Sequence, residues 1–210
     1  MKITGKLIAK QLLHCEAIKI NTDSPFQWAS GWKSPVYCDN RKTLSYPEIR
    51  DLIKVSFASL IKEKFLSTEA IAAVATGAIA QGALVADMMG LPFMYIRPEP
   101  KKHGLENLIE GELKYGQRVV VIEDLVSTGK SSLKAVEAIR EKGGEVLGMA
   151  AIFTYGFKTA EDNFKKAGCK LYTLSNFHIL LEEAVESGYI KSESLDILRR
   201  WMEDPENWNN

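Results

Sequence analysis

Between residues 70 and 174 the chain repeats one device, a short and nearly continuous apolar run followed by a segment with helical spacing. The runs are AIAAVA (70–75), PFMYI (92–96), RVVVIE (118–123), EVLGMAAIF (145–153) and KLYTL (170–174). A strand wetted on one face alternates apolar and polar residues, so strands without alternation are covered on both faces. Segments 78–89, 130–142 and 158–167 separate most of them and carry the spacing of helices. Strand–helix–strand order of this kind gives a parallel sheet with crossover helices. The expected class is α/β, a central parallel sheet flanked by helices. A length of 210 residues, 46% of them hydrophobic, suits one domain over 1–210 with enough apolar material for a sizeable core.

Ahead of the sheet, Leu7, Ile8, Leu12 and Leu13 recur at helical spacing and predict a first helix over 4–18. The stretch NTDSPFQWASGWKSP is rich in turn residues and leads to a short strand at 36–39. Pro47 suits the first position of a helix that puts Ile49, Ile53, Phe57, Leu60 and Ile61 on one face. Two more helices, about 176–187 and 191–203, precede the polar tail PENWNN. The rhythm breaks at 97–116, RPEPKKHGLENLIEGELKYG, a charged connection between two strands with no helical pattern. A connection that long inside a compact domain is usually functional or mobile.

Several partner classes are disfavoured at once. The 27 basic residues balance 27 acidic ones, so there is no electrostatic footprint for nucleic acid. No run is long enough to span a bilayer, and the lysine-dotted N-terminus makes a poor signal peptide. Cys15, Cys38 and Cys169 are odd in number and form no CxxC pair, which predicts idle thiols in a reducing compartment, the cytoplasm.

The densest chemical signal is VVVIEDLVSTGKSS (119–132). An apolar strand ends in Glu123 and Asp124, and a small-residue loop then opens a helix near Lys130. Ligands of open α/β sheets bind beyond the carboxyl ends of strands, where helix N-termini point free amides outward. Ser127 and Thr128 add hydroxyls, and Gly129 lets the backbone come close to a phosphate. Two carboxylates would repel that phosphate, so they suit sugar hydroxyls or a cationic centre instead. A Walker A loop is excluded, because its first glycine would fall where Asp124 stands.

This stretch resembles the phosphoribosyl pyrophosphate (PRPP) motif of type I phosphoribosyltransferases. Two further segments are similar to the orotate branch of that family: YIRPEPKKHG (95–104) running on to NLIEG (107–111), and FQWASGWKSPVY (26–37). The resemblance covers the chain from the first helix to about residue 190. It implies a type I phosphoribosyltransferase fold with a small N-terminal hood, contributed mainly by about 1–45, and a mobile catalytic loop at 97–111. It implies that Arg97, Lys101 and His103 contact the pyrophosphate end of PRPP, with Lys101 and Asp124 the catalytic residues. Glu123 and Asp124 would hold the ribose hydroxyls. Leu125, Val126, Ser127, Thr128, Gly129, Lys130 and Ser131 would cradle the 5-phosphate, and Ser127 would also touch orotate. The turn at 74–82 would approach the pyrophosphate through backbone amides. The cofactor implied is Mg²⁺, carried chiefly by PRPP oxygens with no dedicated protein ligand, and the assembly implied is a homodimer whose loop reaches the partner's site.

The sequence also departs from many relatives. Ala29 and Pro98 stand where lysines are common, a Tyr-Lys pair is missing between Ala78 and Gln81, and no arginine falls near Phe153–Gly156. The reaction implied joins orotate to the ribose of PRPP with release of pyrophosphate. Two alternatives compete: transfer to another base, and a non-catalytic PRPP-sensing regulator. The hood and KKHG loop argue against the first, and the lack of an added nucleic-acid-binding region against the second.

Overall fold

The structure, a computed structural model, describes residues 2–28, 31–99 and 108–208. In chain order they form α1 (Lys2–His14), β1 (Ile18–Ile20), β2 (Phe26–Gln27), β3 (Lys33–Ser34) and β4 (Val36–Cys38), then a 3-10 turn (Asn40–Ser45) and α2 (Pro47–Lys64). The core alternation follows: β5 (Ala70–Val74), α3 (Ile79–Met89), β6 (Phe93–Ile96), β7 (Ile109–Glu110), β8 (Arg118–Val126), α4 (Lys130–Glu141), β9 (Glu145–Thr154), α5 (Lys158–Lys166) and β10 (Leu171–Asn176). Helix α6 (Phe177–Glu186), a 3-10 turn (Ser192–Ser194) and α7 (Leu195–Glu203) complete it.

The main sheet has six strands in the order β10-β9-β8-β5-β6-β7. All pairs are parallel except β6–β7, so the expected parallel sheet carries one antiparallel edge strand. That edge falls within the segment read as a structureless connection. A two-residue strand is too short to leave a periodic signature.

The continuous apolar runs have the cause inferred for them. Ile71, Ala73, Val120 and Ile122 face one core, shared with α1, α2, α3, α6 and α7. Ala70, Ala72, Val119 and Val121 face another, shared with α4 and α5. Successive side chains of a strand point to opposite faces, and here both faces are covered.

Two sequence expectations need correction. The first helix ends at His14 rather than 18, because Glu16 adopts a left-handed φ of 54° and Ile18 pairs with Cys38 in β1–β4. The apolar pattern continues through Cys15, Ala17 and Ile18, but as turn and strand. Of the residues expected on its buried face, Ile8, Leu12 and Leu13 are buried while Leu7 is exposed. Second, β8 continues through Val126, so the acids lie inside the strand rather than after it. Strand β9 is long enough to keep pairing, Glu123 with Ala151 and Val126 with Thr154.

Strand β5 stops sooner. Its last register partner on β8 is Ile122, opposite Ala73. Beyond that point β8 is paired on its β9 side only, and its other edge opens into a crevice. The chain order also reverses here: β5 leads outward to β6, whereas β8 leads the other way to β9 and β10. Open α/β sheets bind ligands at such a switch point.

Candidate active site

The two acids of β8 have different surroundings. Glu123 is buried: its Oε2 accepts a 2.7 Å hydrogen bond from the Ser132 hydroxyl, and its Oε1 accepts one of 3.0 Å from the backbone N–H of Asp124. Burial, and next the neighbouring Asp124 charge, push the Glu123 carboxyl well above the usual carboxylate range. Asp124 is half-buried and points its carboxylate toward the turn after β5. A Cβ on Gly77 would collide with that carboxylate, so only glycine permits this approach. The Ala75–Thr76 peptide of the same turn is cis.

A cavity of about 260 Å³ lies over these groups, lined by Cys38, Asp39, Arg41, Val74, Ala75, Gly77, Glu123, Asp124, Leu125 and Ser131. Its far wall comes from the N-terminal segment, pinned to the strand by Asn40, whose buried side-chain amide donates to the Asp124 carbonyl at 2.6 Å. Asp39 caps the following 3-10 turn and holds the Arg41 guanidinium through Nε (2.7 Å) and Nη2 (3.0 Å). The Arg41 guanidinium accordingly holds the Asp39 carboxyl below its usual range. Burial raises the Cys38 thiol, which leaves it protonated.

A second cleft, about 540 Å³, shares Val74, Ala75 and Ser131 with the first and holds Arg97, Lys130 and Lys134, with Glu137 and Glu141 at its rim. Arg97 sits at the mouth of the long connection. Its backbone N–H donates to Leu108 O at 2.8 Å, and its Nη1 lies 3.5 Å from Glu110 Oε1. Both ends of the connection therefore meet beside this cleft. Lys101 and His103 lie outside the described residues, as do Ala29 and Ser30 of the segment expected to form a hood.

Between β8 and α4, Gly129 takes a left-handed φ of 77°, and a Cβ there would strike the Phe164 ring. Asn163 donates to Thr128 O at 2.9 Å, and Thr154 Oγ1 donates to Val126 O at 3.0 Å. The loop is thus held from outside while the first amides of α4 remain available. Leu125 and Ser131 border the acid cavity, and Lys130 and Ser131 the cationic one; Val126, Ser127, Thr128 and Gly129 line neither. Val126 has its side chain in the core.

A larger cleft of about 820 Å³ runs between the end of β9, α6 and α7, away from the acids and the α4 N-terminus. Volume favours it, but chemistry favours the crevice at the switch point, where a carboxylate pair, a helix start and four cations, Arg41, Arg97, Lys130 and Lys134, converge. The acids, Arg97 and the turn containing Gly77, all singled out in the sequence, come together at this crevice. The sequence did not single out Asp39, Asn40 and Arg41; the signal lay in the polar DNR run after the short strand.

Residues 42–186 match the family model described as the phosphoribosyl transferase domain. The chain is 62% identical over 208 residues to the orotate phosphoribosyltransferase of Porphyromonas gingivalis, covering 99% of each chain. It is 53% identical to that of a Streptococcus pneumoniae strain, covering 97% of each. Among solved structures it resembles orotate phosphoribosyltransferase from Aeropyrum pernix, with a TM-score of 0.76, 28% identity, and coverage of 87% of this chain and 99% of that one. It also resembles Leishmania donovani UMP synthase, with a TM-score of 0.80 and 28% identity, covering 95% of this chain but 42% of that one.

Proposed function

The chain belongs to the phosphoribosyl transferase family, and from that premise we propose that it transfers the 5-phosphoribosyl group of PRPP to orotate, giving orotidine 5'-monophosphate and pyrophosphate in pyrimidine nucleotide synthesis. The observation that carries this reading is the open edge of β8, where Glu123 and Asp124 face a crevice beside the loop that starts α4.

The chemistry follows from how the groups are sorted. Asp124 and Glu123 accept hydrogen bonds from the ribose hydroxyls, and the Asp124 charge favours positive charge developing at C1. The loop 125–131 receives the 5-phosphate on backbone amides and on the Ser127 and Thr128 hydroxyls, at the positive end of α4. Ser127 is placed by the same reading against orotate. Arg97, joined by Lys101 and His103 of the connection, offsets the charge of the departing diphosphate.

Magnesium fits this scheme as a companion of the substrate. Among the described residues no three His, Cys, Asp or Glu side chains gather into a cage. Asp39 and Glu123 are engaged, which leaves Asp124 as a single carboxylate for an ion that keeps its waters and phosphate oxygens. When bound, the ion adds positive charge to the leaving diphosphate.

We read the working unit as a two-fold homodimer with Lys101 serving the partner's site, on the strength of the likeness of 97–111 to the family's loop. Mixing Lys101→Ala with Asp124→Asn subunits tests this: activity returns only if the lysine acts in trans. We place the enzyme in the cytoplasm. Cys15, Cys38 and Cys169 are free, and among the described residues no helix is long and apolar enough to cross a membrane.

The deciding experiment for the activity itself is the loss of orotate absorbance on adding PRPP and magnesium, with adenine, hypoxanthine and uracil in parallel. Consumption of orotate alone is expected. Consumption of another base reassigns the substrate, and consumption of none leaves a PRPP-binding regulator.

A further inference from the structure

We propose that Arg41 is the specificity-determining residue for the base: the free edge of its guanidinium receives the carboxylate of orotate. The inference rests on the reading of orotate as substrate, and begins from a charge problem. The ionisable groups lining the acid cavity include Asp39, Glu123 and Asp124, with Arg41 as the one Lys or Arg side chain among its described residues. An anionic base entering this space meets carboxylates unless a cation receives it.

The geometry of Arg41 supplies one. Asp39 occupies the Nε–Nη2 edge in a bidentate pair. The outer edge, Nη1 with the remaining N–H of Nη2, takes no hydrogen bond among the described residues, and it matches a second carboxylate in the same forked fashion. The Arg41 side chain is exposed to solvent, but its backbone is anchored on both sides. Asp39 also accepts from the Arg41 backbone N–H at 3.2 Å, and Asn40 between them is fastened to the Asp124 carbonyl. Arg41 is therefore held in register with the acid that contacts the sugar.

Position then agrees with the reaction. A group entering at C1 and a group leaving it lie on opposite faces of that carbon. The cationic cleft, with Arg97 and Lys134, suits the departing diphosphate. Arg41 lies in the adjoining acid cavity with Asp124, on the wall formed by the N-terminal segment, and is absent from the lining of the cationic cleft. Orotate attacks through the ring nitrogen next to the carbon that bears its carboxylate, so the carboxylate must lie close to C1 and on this same side. Uracil has the ring but not the carboxylate, and so gains nothing from Arg41.

The test compares wild type, Arg41→Gln and Arg41→Lys in steady-state assays with orotate, PRPP and magnesium, with uracil added as a competing ligand. Arg41→Gln is expected to raise KM for orotate by roughly 10–100-fold, as loss of a hydrogen-bonded charge pair does. KM for PRPP and the inhibition constant of uracil should stay within about twofold, inside the scatter expected when no contact to either ligand is removed. Arg41→Lys keeps the charge but not the fork, so its KM for orotate should fall between the other two. If Arg41→Gln does not fold, Arg41→Lys carries the test, and wild-type KM for orotate in that variant overturns the proposal. So does a rise in KM for PRPP in place of orotate, or an equal loss for orotate and uracil. Wild-type protein that leaves orotate untouched overturns the parent reading and this one together; wild-type turnover with an unaffected Arg41→Gln overturns Arg41 alone.

Discussion

The two clefts on either side of Ala75 and Ser131 are built by opposite means. The acid cavity is made of backbone placed to close tolerances: a strand edge left bare where β5 ends, a glycine pressed against a carboxylate, and an asparagine stapling a distant segment to the same strand. The cationic cleft is made of long side chains, two from the exposed face of α4 and one from the end of β6. Packed backbone cannot shift without cost, whereas lysines and arginines reach a charge from many rotamers. On the proposed reading, the first cleft fixes where the sugar sits and the second neutralises what hangs from it. Damage to the first should be severe and local. Damage to the second should be graded and sensitive to salt.

Asp124→Asn tests the stronger half of that contrast. It removes the charge that the proposed function sets against C1 while keeping the side chain's shape. The backbone carbonyl that binds Asn40 is untouched, so the fold should hold. The expected loss is on the order of 10²–10³ in kcat/KM for PRPP, the scale of a preorganised charge acting in the transition state. Gly77→Ala sharpens the reading without altering any charge, because its methyl must displace the same carboxylate. Near-normal kinetics in both variants, at unchanged melting temperature, would make the acid cavity structural.

Lys134→Ala probes the other cleft, where Arg97 and Lys130 remain to share the load. KM for PRPP should rise only about 3–10-fold, the worth of one exposed charged contact. The wild-type advantage should shrink as salt is added, because the contact is screened. A loss as deep as that of Asp124→Asn, or one indifferent to salt, would erase the distinction between the clefts.

The same contrast governs what could be read from the sequence. The sheet strands were legible because burial on both faces leaves an uninterrupted apolar run, as in Val119–Ile122. The acids and the α4 loop were legible because they follow one another along the chain. The wall opposite was not. Asn40 and Asp124 are 84 residues apart, and nothing local to Asn40 marks that bond. The Asp39–Arg41 fork spans a 3-10 turn, where short polar runs look like solvated loop. Glu16 shows the limit of residue type: no preference of glutamate announces the left-handed conformation that ends α1.

The smallest effect expected concerns the more deeply buried acid of the cavity. Glu123, next to Asp124, is buried, and burial first and the Asp124 charge second hold its carboxyl far above the ordinary carboxylate range. In the unfolded chain that carboxyl loses its proton near its usual value; in the folded chain it resists doing so. Folded protein therefore binds more protons than unfolded protein at every pH between those two values, and stability must fall as pH rises through that window. Below the unfolded value the penalty is absent. Glu123→Gln removes this titration while leaving an amide to meet Ser132 and the Asp124 N–H. Its melting temperature relative to wild type should climb steadily from pH 4.5 upward, and the gap should be least in acid. Asp124→Asn provides the internal control, since replacing the neighbouring charge relieves the second cause of the Glu123 shift and should flatten the wild-type slope in part. Parallel melting curves of wild type and Glu123→Gln across pH 4.5–9 would show instead that Glu123 ionises as freely in the folded chain as in the unfolded one.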